Sequence, residues 1–161
     1  ANSLDKNILD KKENIIYLTP KGKKFDQTYA KKIFTNNLNI VCGHFEGVDE
    51  RILQTRNIDQ VSIGDYVLSG GEIGAYVVID AIVRLLPGVL GNLNSLTEES
   101  FEKCLLEYPQ YTKPQKWEGK EVPDALLTGD HKKIKNWRLA QSEDITRRRR
   151  PDLWEKYKKK K

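Results

Sequence analysis

The chain has 161 residues, 38% hydrophobic and 32% charged, with a net charge of +5, enough for one domain or two small ones. No apolar run approaches the roughly 20 residues of a membrane span. No opening stretch combines a basic region, an apolar core and a cleavage site, and two cysteines, Cys42 and Cys104, set up no disulfide framework. Both are expected to be reduced thiols of a cytoplasmic protein. His44 and His131 lack neighbouring ligand residues, so no metal site is expected.

Ala1–Glu13 reads as the tail of a helix and a charged connector. Asn14–Leu18 predicts a buried strand. Phe25, Tyr29, Ala30, Ile33 and Phe34 recur at helical spacing and predict an amphipathic helix over Phe25–Thr35. Leu38–Cys42 predicts a second strand and Val48–Thr55 a short helix. Val61–Leu68 is rich in β-branched, aromatic and aliphatic residues and predicts a third strand. Ser69-Gly70-Gly71 ends it, and an apolar helix over Glu72–Leu86 follows, stopped by Pro87-Gly88. This alternation predicts an α/β fold with a mostly parallel sheet.

Each strand runs into a Gly- or Pro-bearing loop, the arrangement an α/β sheet offers a ligand at its carboxyl edge. Glycine has no Cβ to hold a ligand off, and a helix N-terminus adds free N–H groups. Taken alone, Gln60–Gly71 fits a ligand-free strand–helix turn equally well. Gly70-Gly71 begins no clean G-x-G-x-x-G pattern, which disfavours a dinucleotide site, and Pro20–Lys24 lacks the offsets of a phosphate-binding P-loop.

Gly91–Glu98 reads as a linker. A helix over Ser100–Glu107 is expected next, then a Pro- and aromatic-rich stretch, Tyr108–Glu118, and Val122–Leu127. Asp130 suits the N-cap of a helix covering Ile134, Trp137, Leu139 and Ser142. Residues 1–90 carry 11 Lys+Arg against 11 Asp+Glu, and residues 91–161 carry 17 against 12. The expected organisation is therefore a neutral α/β domain over 1–90, a linker over 91–98 and a basic domain over 99–161 that binds a polyanion. From His131 onward there are 13 Lys+Arg against 4 Asp+Glu, interleaved with Trp137 and Trp154. Basic side chains beside aromatics suit an RNA backbone and unstacked bases. Candidate RNA contacts are His44, Lys113, His131, Lys132, Lys133, Lys135, Arg138, Arg147, Arg148, Arg149 and Arg150. A solvated charged face is the alternative reading of such runs.

The motifs IYLTPKG, VCGHFEGVDER, SIGDYVLSGGE, LLPGVLG, YPQYTKP (with W and VP following), LLTGDH and WRLAQS stand in this order between about Asn14 and Trp154. In sequence and order they resemble the bacterial tRNA (guanine-37-N1)-methyltransferase family, TrmD. The resemblance implies a SPOUT-type, trefoil-knotted α/β domain followed by a small, mainly helical C-terminal domain. It also implies a homodimer acting on tRNA, with S-adenosyl-L-methionine held by the three loops. The implied cofactor contacts are Tyr17, Leu18, Thr19, Pro20, Gly43, Phe45, Glu46, Ile63, Gly64, Asp65, Tyr66, Val67, Leu68, Gly70 and Gly71. The family's N-terminal part, with a PYGGG-type loop, is not found here, so the chain reads as a fragment.

Methylating guanine N1 requires removal of its proton, for which a carboxylate is the natural base. The family's EDSF-like motif reads Glu98-Glu99-Ser100-Phe101 here, which puts the implied base at Glu99. Without the family, Glu98 and Glu99 read as acids at a helix start. The resemblance makes Arg84 the cation that stabilises charge on the guanine oxygen; by spacing alone it is an i,i+4 partner of Asp80. Glu99 in place of Asp, Gly74 in place of a common proline and Gln110 in place of a common histidine are departures from the family pattern. Two rival readings are a non-catalytic RNA-binding module and a knotted RNA methyltransferase with another target nucleotide.

Overall fold

Ile15, Ile16, Tyr17 and Leu18 open β1 (Asn14–Lys24). The computed structural model describes Asp5 and residues 14–34, 37–44, 46–89 and 99–161. They fall into two compact units, Ala1–Gly91 and Asn92–Lys161.

In the first unit β1 runs six residues beyond the expected end at Leu18. Its pairing with β3 (Asp59–Ser62) shifts register between Leu18 and Lys23. Pro20 sits inside that shift, where no ladder hydrogen bond is asked of it. Gly22 lies there too, and a Cβ on it would fall 2.3 Å from the Val61 backbone nitrogen. β2 (Leu38–Val41) pairs with the other edge of β1, giving a parallel three-stranded sheet of order β2-β1-β3. The parallel sheet agrees with the expected α/β class.

Helices α1 (Gln27–Ile33), α2 (Glu50–Thr55) and α3 (Glu72–Val83) accompany the strands. Asp26 starts α1 by accepting a hydrogen bond from the Tyr29 N–H at 2.8 Å, and Asp49 starts α2 through the Arg51 N–H at 2.9 Å. Both caps shorten the helices relative to the expected bounds. The Tyr29 hydroxyl donates to Asp59 at 3.0 Å and ties α1 to β3. Burial, with Asp59 beside it, pushes that phenol up to about 12.

The third strand is four residues long, not eight. After Ser62, the Ser62 hydroxyl donates to the Gly64 carbonyl and accepts from its N–H, at 3.1 and 3.3 Å. That local pairing turns the chain out of the sheet despite the β-favouring residues beyond it. Residues 63–71 are a loop, and helix α3 ends at Val83 instead of Leu86.

Ile16 and Tyr17, on opposite faces of β1, belong to two separate clusters. Ile16, Ala30, Ile33, Val61, Val78 and Ile82 form one; Tyr17, Leu53 and Ile58 form the other. β1 is thus covered on both faces, which is why its first half reads as unbroken apolar sequence. Ile16→Ala is expected to cost about 2–5 kcal/mol of unfolding free energy, measured by denaturant titration. A loss below that of an exposed substitution would contradict this core.

The second unit is mainly helical. The helix expected over Ser100–Glu107 does not form; only a short 3₁₀ turn, Glu102–Cys104, is present. Phe101, Lys103 and Cys104 take positive φ of 76°, 50° and 60°. Hydroxyl groups capture the backbone here: Ser100 accepts from the Glu107 N–H at 2.9 Å and Thr146 from the Leu106 N–H at 2.8 Å.

A small antiparallel hairpin, β4 (Lys116–Trp117) and β5 (Lys120–Glu121), was not expected from sequence. α4 (Asp124–Leu127), α5 (His131–Arg149) and α6 (Pro151–Lys160) follow. Asp130 caps α5 as its sequence position predicts, accepting from the Lys132 and Lys133 N–H groups at 2.9 and 3.2 Å. Pro151 opens α6 where its missing N–H costs nothing. Among the described residues of this unit, Leu105, Ser142, Thr146 and Leu153 are buried. The buried Thr146 hydroxyl is satisfied by donating to the Ser142 backbone carbonyl at 2.6 Å.

No helix among the described residues is long and apolar enough to cross a membrane. Among the same residues no group of three or more His, Cys, Asp and Glu is arranged to hold a metal ion.

Candidate functional site

In the first unit three loops enclose one cleft of about 270 Å³. They are the interrupted stretch of β1, the loop from β2 to α2 and the loop from β3 to α3. Of the expected cofactor contacts, Tyr17, Leu18, Thr19 and Pro20 line it from the first loop and Gly43 and Glu46 from the second. Ile63, Gly64, Tyr66, Val67, Leu68, Gly70 and Gly71 line it from the third. Asp65 is exposed and is not among the lining residues. Phe45 lies outside the described residues.

The glycines let these loops lie directly on one another. A Cβ at Gly71 would stand 2.8 Å from the Cys42 Cα and 3.0 Å from its Cβ. One at Gly43 would stand 2.9 Å from the Tyr17 ring. At Gly70 the nearest atom is a Glu72 carboxylate oxygen at 2.6 Å, the mobile end of a side chain. The strict steric requirement therefore falls on Gly71, although the sequence marks both glycines equally. Gly74 packs near Leu18 and Ile63, with a Cβ position 3.1 and 3.4 Å from their terminal methyls.

Sequence reasoning passed over several lining residues. Lys21, Gly47, Val48 and Ser69 are neighbours of the named ones, and loop continuity was the available signal. Gln60 and Glu50 also line the cleft and are joined by a hydrogen bond from the Gln60 amide at 3.3 Å. They stand ten residues apart, one on α2 and one on β3, and no local motif announces their meeting.

His44, expected to touch RNA, is exposed and meets Glu72 at the start of α3, with Nε2 to Oε1 at 2.5 Å. The Glu72 carboxyl is held below the usual carboxylate range by its own backbone N–H and then by His44. Burial, with the negative charge of Glu72 beside it, pushes the Cys42 thiol up. A raised thiol is a poor nucleophile at neutral pH. Arg84 is the C-cap of α3 and half-buried.

In the second unit Glu99 is half-buried, and its carbonyl accepts from the Glu102 N–H at 3.3 Å as the chain enters the 3₁₀ turn. His131, Lys132, Lys133 and Lys135 are exposed along the first turns of α5. Lys113 is exposed and precedes Pro114 through a cis peptide bond. The Arg138 guanidinium lies over the Tyr108 ring, 4.6 Å from its centroid. In the Arg147–Arg150 run, Arg147 and Arg148 pair with Asp144 at 3.0 and 2.6 Å, and Arg150 with Asp152 at 2.6 Å. The Arg150 guanidinium holds the Asp152 carboxyl down at about 2. That run therefore offers less uncompensated charge than its sequence suggests. Trp137 and Trp154 also differ from the expected picture of bases stacked on indoles. They are half-buried, with rings 6.1 Å from Tyr111 and 5.5 Å from Tyr157.

The model of the family described as tRNA (Guanine-1)-methyltransferase TrmD matches residues 1–156. The chain is 64% identical over 160 residues to the tRNA (guanine-N(1)-)-methyltransferase of Pelagibacter ubique, covering 99% of this chain and 70% of that protein. It is 53% identical over 144 residues to the one from Rhodospirillum rubrum, covering 89% of this chain and 60% of the relative. The protein of the same name from Brucella canis is 52% identical over 158 residues, covering 98% and 64%. The chain thus spans between about three-fifths and seven-tenths of the length of these relatives.

Proposed function

The chain belongs to the tRNA (guanine-1)-methyltransferase TrmD family, and from this premise we propose that it methylates the N1 atom of guanine-37 in tRNA. The donor is S-adenosyl-L-methionine, the location cytoplasmic and the fold the trefoil-knotted SPOUT type.

The cleft carries this reading. Its walls are Leu18, Ile63, Tyr66 and Leu68, and its floor is backbone at Gly43, Gly64 and Gly71, at positions where a Cβ would strike a neighbour. Apolar walls with accessible amides suit an uncharged adenosine, which needs no phosphate clamp. The Glu46 and Glu50 carboxylates also line the cleft and suit a cationic ligand. Bound there, the donor supplies an electrophilic methyl group on a sulfonium.

Glu99 takes the proton from guanine N1, freeing the nitrogen lone pair for the methyl group. Arg84 stabilises the negative charge that grows on the guanine oxygen as the proton leaves. The second unit grips the tRNA, with Lys113, His131, Lys132, Lys133 and Lys135 facing the phosphates. The partner in a homodimer covers the apolar part of α3, where Ile73, Tyr76, Val77 and Ile79 are 60%, 71%, 46% and 46% exposed.

Calorimetric titration with S-adenosyl-L-methionine is expected to give one saturable site per chain, and absence of binding heat at any concentration would remove the cleft from this reading. Affinity for a tRNA transcript is expected to fall with salt, with a log–log slope of about −0.7 to −0.9 per phosphate contact. Changing Lys132, Lys133 and Lys135 together to Ala should flatten the slope more than changing Arg147, Arg148 and Arg150, whose three charges are partly offset by Asp144 and Asp152. The reverse order would place the RNA on the arginine run.

A further inference from the structure

We infer that Trp117 and Lys120 form a stacking clamp for one unpaired nucleotide of the RNA that the second unit holds. This rests on the proposal that the unit binds tRNA. The chain has three tryptophans. Two serve internal packing, against Tyr111 and Tyr157. The third, Trp117, is 62% exposed. An indole left that open contributes little to folding, and it is not on a loose loop.

Trp117 lies in the hairpin of β4 and β5, whose strands pair Lys116 with Glu121 and Trp117 with Lys120. The two turn residues, Glu118 and Gly119, take φ of 48° and 76°. Two consecutive positive φ values define the tight turn whose twist matches that of paired strands. The Val122 N–H donates to the Gln115 carbonyl at 3.0 Å and extends the ladder by one step. The hairpin is therefore a short, fixed platform.

Residues paired across two strands share a face, and successive residues alternate faces. Lys116 and Glu121 occupy one face and neutralise each other in an ion pair at 3.3 Å. Trp117 and Lys120 occupy the other. That face carries an exposed indole and, at the residue paired with it across the strands, a lysine. A purely apolar protein partner would leave the Lys120 charge uncompensated. An unstacked nucleotide meets both features, its base on the indole and its phosphate on the ammonium. Every base has a π face, so the clamp positions the RNA without reading its sequence.

The test is binding of a tRNA transcript to the full chain over a range of salt, with Trp117→Phe, Trp117→Leu and Lys120→Gln. Stacking predicts that Trp117→Leu weakens binding about tenfold or more without changing the salt slope. Trp117→Phe keeps an aromatic face and should stay near wild type. Lys120→Gln should flatten the slope by about 0.7, one single-strand contact. In turnover, Trp117→Leu should raise KM and leave kcat. Wild-type affinity in Trp117→Leu overturns the clamp while leaving the unit's RNA binding intact. Equal weakening by Leu and Phe overturns stacking in favour of shape alone. A wild-type chain that binds no tRNA overturns both the clamp and the reading beneath it. Circular dichroism of each variant separates loss of contact from loss of fold, and Lys120→Gln tests the clamp without touching the indole.

Discussion

Glu99→Gln is expected to slow single-turnover methyl transfer by about 10²–10⁴-fold, the usual contribution of a positioned general base, with tRNA and donor binding retained. The amide keeps the size of the side chain and removes its ability to take a proton. Guanine N1 carries that proton in neutral RNA, and no methyl can bond there until it leaves. Glu98→Gln is the control. If the two glutamates were equivalent acids at a helix start, both changes would have the same small effect. In the structure a short 3₁₀ turn over Glu102–Cys104 stands where the helix from Ser100 was expected. Glu99→Asp shortens the side chain to the family's residue and should keep or raise the rate. Equal and small effects of Glu98→Gln and Glu99→Gln would remove Glu99 from the chemistry.

Gly71→Val is expected to abolish binding of S-adenosyl-L-methionine, measured by calorimetry. The first added carbon would already lie 2.8 Å from the Cys42 Cα, and that neighbour is backbone. The loop from β3 to α3 must then lift away from the end of β2 and open the cleft. The main core around Ile16, Val61 and Val78 is not touched, so the unit stays folded while its site is lost. Gly70→Ala should be mild by comparison, since the Glu72 carboxylate can swing aside. If Gly70→Ala abolished binding and Gly71→Val did not, the ligand would lie against Gly70 and the loop packing would be irrelevant to it.

The order of strands and helices was legible because each step has a local cause. Apolar runs mark a strand covered on both faces, and Asp130 is a side-chain cap whose sequence position suffices to place it. What sequence could not supply were contacts between distant residues. The third strand looks continuous to Leu68, yet the Ser62 hydroxyl ends it by pairing with Gly64. The helix at Ser100 fails because Thr146, 40 residues away, takes a backbone N–H of that segment.

The same distinction holds at the sites. The lining of the cleft followed from three loop motifs, but the greater steric demand at Gly71 than at Gly70 depends on where Cys42 sits. The arginine run promised free charge, and Asp144 and Asp152 take up much of it. Trp117 stood out in the sequence only as the W that follows the YPQYTKP motif, and only the hairpin register puts Lys120 on its face.

The most direct test of the central claim is mass spectrometry of a tRNA transcript incubated with the protein and S-adenosyl-L-methionine carrying an isotopically labelled methyl group. The account predicts one labelled methyl per tRNA, as 1-methylguanosine, at the nucleotide immediately 3′ of the anticodon. A label on another atom or nucleotide, or no label in a reaction where both ligands bind, would contradict it.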